Sequence, residues 1–148
     1  MILISPYSKP LKNGNPNPKN YPYWKELISL LPNKPPNNII QVVYKGEEIM
    51  NDCGIGFIEY TGLKEFDKWI KFNTGMIIVS VDHFLPHLAH YYGKKSIVLL
   101  GQSDPNLFGY KENINLLKSR IFLRPNQFDT WDGVQYNPES FVSPQEVY

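Results

Sequence analysis

The chain contains a single cysteine, Cys53, among 148 residues. No disulfide can form within it, and a reducing compartment, by default the cytoplasm, is expected. Charge of one sign is also missing: 15 Lys and Arg against 14 Asp and Glu leave a formal net charge of +1. That gives no electrostatic reason to expect nucleic acid or an anionic membrane as partner. No apolar run approaches the roughly 18 residues of a membrane span. The apolar part of the opening MILISPYSK is too short for a signal peptide and reads as a strand. A GxSxG nucleophile elbow does not occur, which removes support for a serine hydrolase. Gly54-Ile55-Gly56 precedes a strand instead of following one and lacks a third glycine, so it is no dinucleotide fingerprint. No internal repeat is visible. What remains is an ordinary globular composition, 42% hydrophobic and 20% charged, with a high aromatic content of 14%.

The length fits one domain. Apolar runs alternate with helical patterns along it. Residues 2–5 (ILIS), 38–44 (NIIQVVY), 55–60 (IGFIEY), 76–81 (MIIVSV) and 96–101 (SIVLLG) read as strands, and 114–124 as one or two more. Residues 6–22 form a long Pro/Asn/Gly/Lys loop. A helix is expected from Pro22 to residue 31, with Tyr23, Leu27, Leu30 and Leu31 as its apolar stripe. Residues 33–38 (NKPPNN) break the chain, 46–53 read as a short helix, 63–72 as an amphipathic helix opened by Gly62, and 83–92 as a third. Strands alternating with helices predict βαβ units, hence an α/β fold: one Rossmann-like domain with a mainly parallel sheet and helices on both faces. The domain is expected over 1–124. The aromatic and proline-bearing tail, 125–148, is expected to pack on the domain or on a partner. In such sheets ligands sit beyond the carboxyl ends of the strands, which directs attention to residues 7–19, 45–48, 60–62, 82–87 and 101–105.

Asp82 lies between a strand and a helix and reads as an N-cap. The same helix start gathers free N–H groups and the positive end of the helix dipole, a ready phosphate site. His83, His87 and His90 fall on one helical face. Phe84 stands where an HExxH motif would need glutamate and no cysteine is near, so a metal site is not expected. Lys9, Lys12 and Lys19 lie in the loop after the first strand, where a lysine can reach a bound phosphate as a point charge. Glu47 and Glu48 would open a helix after the second strand, favoured there by the dipole, or would hydrogen-bond a ribose hydroxyl. Cys53 reads as structural.

The stretch SVDHFLPHLAHYYGKKSIVLLGQSDPNLFGY resembles the nucleotide-sugar half of the family 9 glycosyltransferases, the ADP-heptose:lipopolysaccharide heptosyltransferases. Asp82, His87 and Ala89 match that family's D-[ST]-G-x-x-H-x-A helix start, and Gly101, Ser103, Asp104 and Pro105 match its G-P-T-D-P turn. PKNYPYWKELISLL is similar to its K-x-W-P-x-x-x-W-x-x-L-I segment, with Lys19 as the lysine. VVYKGEE is similar to its G-x-E turn, and YTGLKEFDKWI to the segment that frames the base. The likeness covers roughly residues 1–118. His83 and Phe84 stand where the family has a small hydroxyl residue and a glycine.

The resemblance implies one half of a GT-B glycosyltransferase. Lys19 would meet the phosphates, Gly46 with Glu47 or Glu48 the ribose, and Tyr60, Thr61 and Gly62 the base. Asp82 would touch the sugar, the backbone N–H groups of His83 and Phe84 would hold the diphosphate, and His87 would brace the helix start. The family's catalytic base belongs to its other half. The expectation is therefore a domain that binds a nucleotide or nucleotide-diphosphate sugar, an ADP-sugar by preference, without transfer activity alone and without a further cofactor. Two alternatives stand beside it. One is a transferase component completed by a second chain or a homo-oligomer, and the other is a degenerate scaffold.

Overall fold

Six parallel strands form one sheet in the order β3-β2-β1-β4-β5-β6, in a computed structural model that describes residues 1–34 and 38–148. The strands are β1 (Ile2–Ser5), β2 (Ile39–Tyr44), β3 (Gly56–Tyr60), β4 (Ile77–Val81), β5 (Ser96–Leu100) and β6 (Ile114–Leu117). This is the doubly wound, Rossmann-like order. The chain steps outward from β1 through β2 to β3, then returns to β4 on the other side of β1 and steps outward again. The central runs are apolar without alternation because both faces are covered. All four residues of β1 are buried, whereas the edge strands β3 and β6 are largely exposed.

Period-two geometry distributes the side chains. Ile2 and Ile4 of β1, with Val79 and Val81 of β4, enter one core with Trp24, Leu27 and Ile28 of α1 (Trp24–Leu30). Leu3 and Ile78 point to the opposite core. There they meet Phe66 and Ile70 of α2 (Leu63–Phe72) and Leu85 and Ala89 of α3 (Phe84–Tyr91). A single turn of helix, α4 (Pro105–Phe108), follows β5, and α5 (Pro144–Val147) ends the chain.

Three local expectations need correction, the start of the first helix, its apolar stripe and the helix over 46–53. The first helix begins at Trp24, not Pro22, because the Tyr21 ring is buried edge-on against Tyr23, Trp24 and Phe141 and holds the chain off the helical path. Its buried stripe is consequently Trp24, Leu27 and Ile28, and Leu30 faces solvent. Residues 46–53 are not a helix, so Glu47 and Glu48 open none. The buried Gln41 side chain donates to Glu48 O and accepts from Met50 N, both at 2.9 Å, taking the backbone groups a helix would have paired. Only Asn51–Cys53 winds into a 3-10 turn. Of 114–124, one strand forms, followed by a 3-10 turn at Arg120–Phe122. Part of the breaker, residues 35–37, lies outside the described residues.

The tail packs on the domain. Helix α5 lies against α1, Phe141 is buried in the core beside Tyr21, and the Tyr21 hydroxyl donates to Val142 O at 3.0 Å. Gly101, at the end of β5, permits this docking, since a Cβ there would meet Ser140 Oγ and come within 2.8 Å of Phe141. Phe141→Ala is therefore expected to lower unfolding free energy by about 3–5 kcal/mol, the usual loss for a large buried aromatic. Gly101→Ala should destabilise in the same direction by undocking the tail. Urea denaturation of both variants checks this, and midpoints equal to the parent's would refute it.

Candidate functional site

The direction of winding reverses between β1 and β4, so the loops that leave their carboxyl ends diverge and open a crevice. The loop after β1 is stitched to itself. Ser8 N donates to Asn20 Oδ1 at 2.8 Å, Asn17 Nδ2 to Lys9 O at 3.0 Å, and Lys19 N to Asn17 Oδ1 at 3.0 Å. After β2 the chain makes a tight turn with Glu47 N bonded to Tyr44 O at 2.9 Å. Gly46 occupies its third position at φ +92°, as a type II turn requires. These loops, with the end of β3 and the start of α3, enclose a cleft of about 750 Å³. Gly46, Glu47, Tyr60, His83 and Phe84 all line it. Glu48 lines a smaller adjoining hollow of about 220 Å³ between the same two loops. Another hollow, about 590 Å³, lies by the end of α1 that leads into β2, at the amino ends of the strands, where the exposed Lys25–Asp52 pair and Lys34 supply the charge.

Burial sets the electrostatics of the cleft. It raises the Glu47 carboxyl above its usual range, against the opposing hydrogen bond from Tyr44 N. Tyr7, which joins the cleft from the end of β1, is pushed up to about 12 by burial and then by the nearby Glu48 and Glu47 charges. Tyr60 is raised as well, first by burial. Its ring stacks on Phe66 at 4.9 Å and meets Tyr44 at 5.3 Å and Phe84 at 5.9 Å.

Asp82 does not cap α3. His83 does, in an extended conformation, its Nδ1 accepting from Leu85 N at 3.3 Å. Its Nε2 lies 2.9 Å from Ser80 Oγ, and that hydroxyl donates to Val81 O at 2.8 Å. The imidazole must therefore donate through Nε2 and is neutral. Burial, and then the Lys19 charge, press its pKa from 6.5 to about 3.

The Asp82 carboxylate instead takes the cation. Lys19 Nζ sits 3.6 Å from Oδ2, and Ser103 Oγ donates to the same oxygen at 2.9 Å. Side-chain exposures of 18% and 14% leave this pair partly sheltered from solvent screening. A strap from the tail covers it. The Trp131 ring lies 5.4 Å from Lys19 Nζ and 3.7 Å from the Arg124 guanidinium, which binds the carbonyls of Gln127, Asp129 and Thr130. Lys12 N donates to Asp132 Oδ1 at 3.1 Å, and Tyr136 hydroxyl to Asn20 O at 2.9 Å, tying the strap to the first loop. Asp104 caps α4 and is held in a fork by Arg120 at 2.8 and 3.1 Å.

The expected site residues thus fall into three groups. Gly46, Glu47, Tyr60, His83 and Phe84 share the main cleft, with Glu48 next to it. Lys19 and Asp82 pair with each other beneath the strap. Thr61, Gly62 and His87 lie apart. Thr61 is exposed, Gly62 precedes α2, and His87 does not brace the helix start but hydrogen-bonds the Tyr110 hydroxyl at 2.7 Å. His90 stacks on the same tyrosine at 3.7 Å. Sequence reasoning missed Tyr44 as a lining residue and, although it expected the aromatic tail with Trp131 to cover this face or a partner, missed the contact of Trp131 with Lys19. Tyr44 reads as the last residue of a strand, and no local pattern brings Trp131 to Lys19.

No family model, curated protein or solved structure matches the chain.

A histidine held neutral couples stability to pH. The unfolded imidazole protonates near 6.5 and the folded one only at about 3. Over that interval the unfolded chain binds the extra proton, so the His83 contribution is complete above pH 6.5 and is lost as pH falls toward 3. The acid limb of the urea midpoint against pH is expected to be steeper in the parent than in His83→Gln. Parallel limbs would show that His83 titrates normally.

Proposed function

We propose that the chain binds a nucleotide or nucleotide-diphosphate sugar in the cleft between the loops after β1, β2, β3 and β4. The observation that carries this reading is the position and lining of the 750 Å³ cleft. It lies at the topological switch point, where doubly wound sheets take their ligands, and its size is that of a small-molecule site. Aromatic rings from Tyr7, Tyr44 and Phe84 offer apolar faces to a base, with Tyr60 packed behind Tyr44. The Glu47 carboxylate, following β2, offers an acceptor to ribose hydroxyls. The start of α3, where His83 and Phe84 line the cleft, would offer their two backbone N–H groups and the positive dipole end to phosphates, while Leu85 N is taken by His83. Lys9 lines the cleft, and Lys19 lies close enough to His83 to depress its pKa. Among these ligands the resemblance favours an ADP-sugar.

Binding is favoured over transfer. A transferase needs a base within hydrogen-bond reach of the acceptor hydroxyl. Both ring nitrogens of His83 are engaged, Asp82 is paired with Lys19 and Ser103, and Asp104 is held by Arg120.

Isothermal titration calorimetry against ADP, UDP, GDP and CMP tests the reading, and at least one should bind. No heat from any of them at millimolar concentration would refute it. A bound diphosphate would have to draw the Lys19 ammonium away from Asp82, and Lys19→Ala is then expected to weaken diphosphate binding by roughly tenfold or more, the worth of one charge-assisted hydrogen bond. An unchanged affinity, with the loss appearing in Lys9→Ala instead, would move the phosphates to the cleft-lining lysine.

A further inference from the structure

Tyr44 is an exposed aromatic on a fixed backbone. It ends β2 with 47% of its surface open, and it stands in register with the buried Tyr60 at the end of β3. Its main chain is locked from both sides. Tyr44 N donates to Glu47 Oε2 and Tyr44 O accepts from Glu47 N, each at 2.9 Å, and the next N–H, from Lys45, reaches Tyr60 O at 3.2 Å. Its ring leans at 56° on Tyr60, which is itself buried and stacked on Phe66. The result is a held aromatic surface at the wall of the cleft, backed by a chain of packed rings.

The polar side chains around that surface offer few two-point contacts to a base edge. Among the described residues that line the cleft there is no amide side chain, and Tyr7, Ser8, Lys9 and Lys45 offer single-point contacts. The imidazole of His83 has committed both nitrogens to Ser80 and Leu85, and Glu47, which accepts from Tyr44 N through one oxygen, is the acceptor assigned to the ribose. Stacking remains, and it scales with the π surface a base presents while discriminating poorly between bases of one size.

We propose that Tyr44 is the stacking platform for the ligand's base, and that the site takes purine nucleotides, adenine and guanine alike, ahead of pyrimidine ones. This rests on the nucleotide-binding reading and adds a specificity to it. Tyr44 sets the purine preference, and the buried Tyr60 acts as its support without meeting the ligand.

Calorimetry with ADP, GDP, UDP and CDP on the parent, Tyr44→Ala and Tyr44→Phe tests it, with thermal melts confirming that each variant folds. ADP and GDP are expected within about twofold of each other and roughly fivefold tighter than UDP and CDP, a part of the energy of one whole base–aromatic stack, since pyrimidines stack on a smaller surface. Tyr44→Ala should bring the purines to the level of the pyrimidines, and Tyr44→Phe should restore the gap. Four equal affinities in the parent, a purine preference that survives Tyr44→Ala, or a large gap between ADP and GDP would each overturn the proposal while leaving nucleotide binding intact. Absence of binding by all four would overturn both.

Discussion

A four-residue strand, Ile2–Ser5, is hydrogen-bonded on both sides and covered on both faces. Everything else is arranged around that constraint. A buried parallel strand must have helices above and below it, and its neighbours must return by crossovers. The crossover through α1 leads to β2 on one side, and that through α2 leads to β4 on the other. The two loops leaving β1 and β4 cannot follow each other, and the crevice between them is the geometric consequence. The site is thus a by-product of winding order before any side chain contributes to it.

The side chains then divide the crevice. Asp82 and His83 are adjacent in sequence and leave the same strand, but they meet different surroundings. Asp82 turns toward Ser103 at the end of β5 and Lys19 from the first loop. His83 turns under the chain, where Ser80 and the helix start use both of its nitrogens. The two arrangements share one cation, since the Lys19 ammonium that pairs with Asp82 also disfavours a second positive charge on His83. The Trp131 strap shelters this arrangement and leaves the aromatic side of the crevice, from Tyr44 to Phe84, open.

Much of the fold was legible because it is local. Unbroken apolar runs such as MIIVSV and SIVLLG can only be buried strands in this context. Residues 63–72 carry a helical stripe, Phe66 and Ile70, and the helix spans those residues. The failures also have local causes that periodicity does not register. Gln41 removed the backbone partners that a helix over 46–53 needed. Tyr21, inserted among three other rings, delayed the start of α1.

By itself the sequence determined the class of sheet, the positions of its strands along the chain, and the rule that functional groups follow the carboxyl ends of those strands. It placed Gly46, Glu47, Tyr60, His83 and Phe84 on loops that do converge on one cleft. Only the tertiary structure decided which of these groups face a ligand and which satisfy each other. Lys19 meets Asp82 across 63 positions, and Trp131 meets Lys19 across 112. Propensity and hydrophobic period act over a few residues. Charge pairing and ring packing act over a few ångströms, between segments that only the closed sheet brings together.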